Sequence, residues 1–167
     1  MKVKLLDICL MAMMGVVLVV SKEVLAFLPN VELITLLIIL FTLVFRRRVI
    51  GALGVFLLLE GLLYGFGIWW VMYLYIWPIL ALLTWLFHWL KRAWQWAIFA
   101  GLYGLAFGTL CSMVYWPMWK LPAILSWIAS GFYFDCNHAV FNFLLCLFLY
   151  YPLRLGLEKL QKQINLA

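Results

Sequence analysis

Gly131-Phe-Tyr-Phe-Asp135-Cys-Asn-His138-Ala-Val-Phe-Asn142 is the stretch that organises this chain, because it opens the last long apolar run with polar side chains. In a helix, Asp135 and His138 are three residues apart and His138 and Asn142 are four apart, so the three side chains share one face. Polar groups inside a membrane are costly and usually face the bundle interior or a water-filled cavity. The stretch therefore predicts a functional site on this face.

The composition is that of a membrane protein. Of 167 residues, 69% are hydrophobic and only 11% are charged, whereas about half of a soluble domain is apolar. The net charge of +6 comes from small basic clusters between apolar runs, which favours membrane topology over nucleic-acid binding. We therefore expect a single all-α transmembrane domain that spans the whole chain and does not bind nucleic acid.

The apolar runs predict six transmembrane helices. The distance from Lys120 to Arg154 is too long for one span, so the sequence predicts a short extra helix from Pro122 to about Ser130 and a break near Gly131. Residues 154–167 are expected to continue as a helix on the membrane surface. The predicted spans are 5–20, 31–45, 49–68, 71–89, 93–113 and 133–151.

The basic residues also predict the orientation. Ten of the twelve lie on the side of the two termini, and only Lys22 and Lys120 lie on the other. Basic residues concentrate in cytoplasmic loops, so both termini are expected to be cytoplasmic. The N-terminus resembles a secretory signal, but Lys22 and Glu23 interrupt the region of cleavage, so we expect a retained first helix.

The segment after the first helix is expected to dip into the protein. The second run, of 15 residues, is about 22 Å long as a helix, against about 30 Å of hydrocarbon. The connection carrying Lys22, Glu23, Asn30 and Glu32 would then line an internal, watery space. The alternative is a second helix extended by Pro29 and the residues before it, with Lys22 reaching the interface.

Two aromatic clusters and several small residues have two interpretations each. Trp69, Trp70 and Tyr73, like Tyr115 and Trp119, form either an interfacial aromatic belt or a stacking platform for a ligand. Small residues of the first helix provide either a docking face or packing within the chain.

Mid-helix Glu60 is either a structural or a functional group. The recurring glycines predict a close-packing stripe on the fifth helix: Gly101, Gly104 and Gly108.

Catalytic patterns are missing from the sequence. No second histidine is expected beside His138, and there is no His-Glu-x-x-His, Gly-x-Ser-x-Gly or P-loop pattern. We therefore expect a non-catalytic protein without a metal or other cofactor. An aromatic pocket with a few convergent polar groups is typical of a small-molecule site. The alternative is a hydrogen-bond network that ties the sixth helix to the first or third.

Three stretches resemble a known family. Residues 21–32, residues 63–70 and the pattern Asp135-x-x-His138-x-x-x-Asn142 are similar to the substrate-binding S components of energy-coupling factor (ECF) transporters of Gram-positive bacteria. The resemblance covers the whole chain. It implies a protein of the bacterial cell membrane that captures a vitamin. The vitamin would be delivered by toppling against a transmembrane T component driven by two cytoplasmic ATPases.

The resemblance and the aromatic loops favour cobalamin as the vitamin, ahead of riboflavin, folate, a queuosine precursor and pantothenate. The family often carries Ala-x-x-x-Ala for docking to the T component. This chain has Ala12 and Val16 with Gly15 between them, and these three residues are the expected docking positions. A ligand-free structural or regulatory membrane protein is the alternative of a different class. The expected substrate-binding residues are Lys22, Asn30, Glu32, Trp69, Trp70, Tyr73, Tyr115, Trp119, Asp135, His138 and Asn142.

Overall fold

The computed structural model describes residues 4–28 and 31–166, and over these residues the regular structure is entirely helical. A 3₁₀ turn, Met113–Tyr115, joins the last two helices. The helices are α1 (Leu5–Leu25), α2 (Ile34–Phe45), α3 (Arg48–Tyr64), α4 (Ile68–Leu86), α5 (Ala93–Ser112) and α6 (Leu121–Leu166). The prediction of an all-α fold is therefore confirmed.

The core of the bundle is α2. Eleven of its 12 residues are buried, and it contacts α1, α3, α4 and α6. A helix that is apolar on every side belongs in the interior, where all of its faces have apolar neighbours. Its central position brings the four surrounding helices together at each of its two ends.

Glycine holds α5 against α6. A Cβ atom at Gly104 would lie 2.9 Å from the backbone of His138, and one at Gly101 would lie 3.3 Å from the Ala139 carbonyl. These distances leave no room for a larger residue at Gly104, so the close approach of the two helices requires glycine. The predicted close-packing stripe is confirmed, and it fixes the height of His138 in the bundle.

Within the part of the chain that the structure describes, four helices are long and apolar enough to cross a membrane, which indicates a membrane protein. They are α1, α4, α5 together with the turn after it, and α6. By contrast, α2 has 12 residues and α3 has 17, so the prediction of six spans rests on the sequence pattern.

Several predicted boundaries were wrong by three to five residues. The first helix continues to Leu25 rather than ending at residue 20, so Lys22 belongs to its last turn and not to a loop. The Ser21 hydroxyl donates a hydrogen bond to the Leu18 carbonyl, so this polar side chain is satisfied within the helix. At the end of α3, Gly65 adopts φ 84°, a conformation that suits glycine and stops the helix at Tyr64, before the predicted residue 68.

The boundaries of α2, α4 and α5 moved by at most three residues. The second helix begins at Ile34 rather than residue 31, and α4 runs from Ile68 to Leu86 rather than from 71 to 89. The fifth helix ends at Ser112, one residue before the predicted end. Helix ends commonly fray or tighten into 3₁₀ turns, and the end of α5 continues into such a turn.

The predicted break near Gly131 and the separate short helix at 122–130 were wrong. Residues 121–166 form one helix, about 69 Å long at about 1.5 Å per residue. An interior glycine costs only about 1 kcal/mol, and Pro122 lies in the first turn, where its missing N–H has no partner to lose. Because the hydrocarbon is about 30 Å thick, α6 extends beyond it. The predicted helical continuation after Arg154 is confirmed, while its position on the membrane surface stays a prediction.

Candidate ligand cavity

A cavity of about 330 Å³ lies at the N-terminal end of α2. It is bounded by the end of α1, the connection to α2, and side chains from α4, α5 and α6. Four of the predicted site residues meet here from different elements. They are Lys22, Glu32, Tyr73 and His138.

A polar network joins α6 to the start of α2. His138 Nε2 lies 3.0 Å from Glu32 Oε1, and Asn142 Nδ2 donates to Thr35 Oγ1 at 3.3 Å. The Thr35 hydroxyl in turn donates to Glu32 at 2.5 Å, and the Thr35 backbone N–H also points at this carboxylate. A carboxylate at a helix N-terminus is favoured by the helix dipole, which helps hold Glu32 in place.

Asp135 lies on the same face of α6 and bonds in another direction. Its Oδ1 accepts a hydrogen bond from the Gly108 backbone N–H at 2.9 Å. A Cβ at Gly108 would lie 2.2 Å from the Asp135 carboxylate, so this contact also depends on glycine. Asp135, His138 and Asn142 are all buried, as expected for one shared face. Their partners come from α5 and the start of α2, rather than from the first or third helix.

Lys22 joins α1 to α3 at the edge of the cavity. Its ammonium group bonds the carboxylate of Glu60, which is completely buried, and lies 4.0 Å from Glu23. The ammonium also lies 4.4 Å from the ring centroid of Tyr64 and 6.0 Å from that of Trp69, within the range of cation–π contacts. Glu60 therefore serves as the counter-ion of Lys22.

An aromatic ladder on α4 contributes Tyr73 and Trp77 to the wall of the cavity, while its first member, the predicted site residue Trp69, lies outside the lining. Trp69, Tyr73 and Trp77 are spaced four residues apart, and successive rings meet edge to face at 5.5 and 5.4 Å. Phe107 continues the wall, 5.6 Å from the ring of Trp77 and 4.8 Å from the ring of His138. Aromatic faces and edges of this kind offer large, rigid contact area to a flat ligand.

Trp77 has a buried donor without a partner. Its side chain is 1% exposed, and its Nε1 bonds to nothing among the residues that the structure describes. A buried N–H left unpaired costs about 1–3 kcal/mol, and a ligand acceptor in the cavity would remove that cost. Glu60 Oε1, a hydrogen-bond acceptor that does not line the cavity, is the only other buried side-chain polar atom without a partner in the described chain.

Other predicted site residues lie elsewhere. The Trp70 indole donates to the Leu57 carbonyl at 2.8 Å and so fastens α4 to α3. Tyr115 stacks on Trp119 at 4.1 Å, and Trp119 lines a separate opening near the start of α6 that shares no residue with the cavity. Asn30 lies outside the described residues.

The expected docking positions on α1 face different surroundings. Gly15 is buried, and a Cβ there would lie 2.7 Å from the Val55 side chain of α3. Gly15 therefore packs against α3. Of the two interpretations of the small residues on the first helix, docking or packing within the chain, packing holds for Gly15. Ala12 is half-buried and Val16 is 46% exposed, so part of this surface is open.

Trp77 and Phe107 also line the cavity, although neither is among the predicted site residues. A signal for Trp77 was present, because positions 69, 73 and 77 share a helical face. Phe107 carries no such signal, since it is one of 13 phenylalanines in an apolar chain.

The described residues contain no group of three His, Cys, Asp or Glu side chains arranged to hold a metal ion. Comparison with protein-family models, with curated proteins and with solved structures gives no match to this chain.

Proposed function

We propose that this protein is the substrate-binding S component of an ECF-type importer and that it captures a vitamin in the cavity beside α2. The observation that carries the proposal is the convergence of Lys22, Glu32, Tyr73 and His138 on one aromatic-walled space. Three of these residues belong to the stretches that resemble S components, at 21–32 and 135–142. Tyr73 comes from the aromatic cluster directly after the stretch at 63–70.

The electrostatics favour a ligand without a large net charge. Lys22 is bonded to Glu60, and Glu32 is bonded to His138 and Thr35, so these charged groups at the cavity already have partners within the protein. A neutral, heteroaromatic molecule would stack on the α4 ladder and present an acceptor to the Trp77 N–H. The remaining polar groups would bind its amides or hydroxyls.

The volume favours a small vitamin. About 330 Å³ is near the lower end of the usual range for ligand sites, about 300–1,000 Å³. Riboflavin, pantothenate or a queuosine precursor is closer to this size than cobalamin. A corrinoid ring with its nucleotide arm would require the connection between α1 and α2 to move outward.

Equilibrium dialysis of the purified full-length protein tests the substrate. Labelled riboflavin, pantothenate, folate, queuosine precursor and cobalamin would be compared with wild type, Trp77→Phe and Trp89→Phe. Trp89 is an exposed control far from the cavity. We expect saturable binding of one small vitamin, weakened about three- to tenfold by Trp77→Phe alone. No saturable binding of any of the five would count against a vitamin site.

The remaining parts of the proposal concern topology and partners. We infer six spans in the bacterial cell membrane, cytoplasmic termini, no catalysis by this chain and delivery by toppling against a T component driven by two ATPases. Docking would use the open part of α1 beside Val16. Affinity purification of the tagged chain in mild detergent should recover a polytopic subunit and two ATPases, and Val16→Trp should reduce that recovery.

A structural role without a ligand is the second candidate. Its specific support is that Asp135, His138 and Asn142 each have a partner within the protein. Under this hypothesis His138→Ala would lower stability, and no vitamin would shift the unfolding temperature of wild type. Under the S-component hypothesis, one vitamin raises the unfolding temperature of wild type and raises that of His138→Ala less.

A further inference from the structure

A second cavity, of about 460 Å³, lies at the C-terminal end of α2. Four cationic side chains line it, together with His88. They come from three separate places: the connection from α2 to α3, the connection from α4 to α5, and the later part of α6. The four are Arg46, Arg47, Lys91 and Arg154.

The positive charge of this cavity is not neutralised by the protein. Among the described residues no carboxylate lines it, and of the six acidic side chains only Glu158 bonds one of the four cations, at 2.7 Å from Arg154 Nε. Four cations against one carboxylate leave an excess of three positive charges. The other five acids bond elsewhere in the described chain: Asp7 to Arg48, Glu23 and Glu60 to Lys22, Glu32 to His138, and Asp135 to Gly108.

Helix dipoles do not account for this excess. At this end of the bundle α2 and α4 end while α3 and α5 begin, so partial charges of roughly −0.5 and +0.5 per terminus nearly cancel. The excess therefore remains available to an anion from outside the chain.

The arginines are held in place by a strained turn. Only Arg46 and Arg47 separate α2 from α3, and Arg46 adopts φ 53° and ψ −122°, a conformation that normally requires glycine. Arginine at such a position lowers the stability of the fold relative to glycine. A role for its positive charge gives a reason why arginine occurs there.

The cavity opens beside an exposed apolar surface of α4. Trp85 lines the cavity and is 63% exposed at the end of α4, a helix apolar and long enough to span the membrane. Leu82 and Leu86, three residues before and one after it, are also exposed. Exposed tryptophan concentrates at the level of lipid headgroups, with the acyl chains beyond it.

We propose that this cavity binds the phosphate of an anionic phospholipid, with the acyl chains lying along the exposed face of α4. The cationic groups contact the headgroup, and Trp85 marks the boundary between headgroup and chains. Basic residues in loops are also expected from membrane topology alone. Topology requires only that they lie on one side, whereas here they converge from three segments on one cavity.

Native mass spectrometry of the full-length protein tests the proposal, with phosphatidylglycerol, phosphatidylcholine and inorganic phosphate as probes. Wild type should retain phosphatidylglycerol at least about tenfold better than phosphatidylcholine. R46Q/R47Q should lose about 25-fold in affinity for phosphatidylglycerol, since each basic group near the surface contributes about fivefold. The control K159Q/K162Q removes the same charge from exposed positions of α6 outside the cavity and should retain the preference.

The unfolding temperature in neutral detergent shows whether each variant is folded. If R46Q/R47Q does not fold, K91Q should weaken phosphatidylglycerol binding about fivefold. Equal loss in K159Q/K162Q and R46Q/R47Q would overturn the site and leave a general charge effect. Saturation by inorganic phosphate without a preference for phosphatidylglycerol would overturn the lipid as ligand.

Discussion

The two cavities lie at opposite ends of α2 and differ in how their charges are arranged. At the N-terminal end, Lys22, Glu32 and His138 are each bonded to a charged or polar partner in the protein. At the C-terminal end, Arg46, Arg47 and Lys91 have no carboxylate partner among the described residues. The charged groups at the N-terminal end are therefore bonded within the protein, whereas three cations at the C-terminal end remain available to an external anion.

The two arrangements suit different ligands. Bonded charges hold side chains in fixed positions beside an aromatic wall, which suits a flat ligand. Cations without a carboxylate partner beside an exposed apolar surface suit the phosphate of a lipid. Variants that remove a partner at the N-terminal end, or relieve strain at the C-terminal end, test this assignment.

The largest effect is expected from Lys22→Met. This change leaves the completely buried Glu60 carboxylate without its cation, which should lower the free energy of unfolding by about 3 kcal/mol. The measurement is unfolding by SDS in mixed micelles. Lys22→Met/Glu60→Met should recover more than half of the loss, and Lys120→Met serves as an exposed control. Equal losses in the single and double variants would contradict a paired buried charge.

Gly104→Ala should have the next largest effect. Its Cβ would lie 2.9 Å from the His138 backbone, and overpacking of about 1–3 kcal/mol exceeds the helix-propensity gain of about 1 kcal/mol. We expect a net loss of up to about 2 kcal/mol in the same unfolding assay. The matched control is Gly54→Ala, which meets nothing within 4 Å and should be neutral or stabilising. A stable Gly104→Ala protein would mean that α5 and α6 separate easily.

Thr35→Val should have a smaller effect. The variant keeps the shape of the side chain but removes the hydroxyl between Glu32 and Asn142. Each net hydrogen bond is worth at least about 0.5 kcal/mol, so the loss of both bonds should cost about 1 kcal/mol, more than the loss of one bond in the control. Thr84→Val is the control, since that hydroxyl bonds only the carbonyl four residues earlier in its own helix. If both variants lose the same amount, the network adds nothing beyond a local bond.

The smallest effect, of opposite sign, is expected from Arg46→Gly. Glycine tolerates φ 53°, so relief of strain outweighs its greater unfolded-state entropy and should raise stability by about 0.5–1 kcal/mol. The same variant should bind phosphatidylglycerol about fivefold more weakly. Arg47→Gly, with an ordinary helical φ of −61°, should lose stability instead. Destabilisation by Arg46→Gly would show that the turn is not strained.

Local spacing in the sequence was enough to predict part of this arrangement. The shared face of Asp135, His138 and Asn142 and the glycine stripe on α5 follow from the period of one helix, and both are confirmed. The pairing of His138 with Glu32 joins residues 106 apart, which no helical period reveals.

The sequence prediction failed where a residue type was taken as a boundary. Gly131 was expected to break the last helix, and the Lys22 segment was expected to leave the first helix. Both positions are helical, because one interior glycine costs little and because Glu60 supplies a partner for Lys22 inside the bundle. The unpaired Trp77 N–H could not be predicted from the sequence either, because it depends on whether the surrounding helices place a hydrogen-bond acceptor beside it.

Identification of the small molecule that copurifies with the protein is the most direct test of a vitamin site beside α2. Mass spectrometry of wild type, Trp77→Phe/His138→Ala and R46Q/R47Q would compare the two ends in one experiment. We expect one vitamin-class molecule, close to one per chain, in wild type and R46Q/R47Q, and its loss from Trp77→Phe/His138→Ala. Equal retention in all three folded proteins, or no such molecule in any of them, would contradict the account.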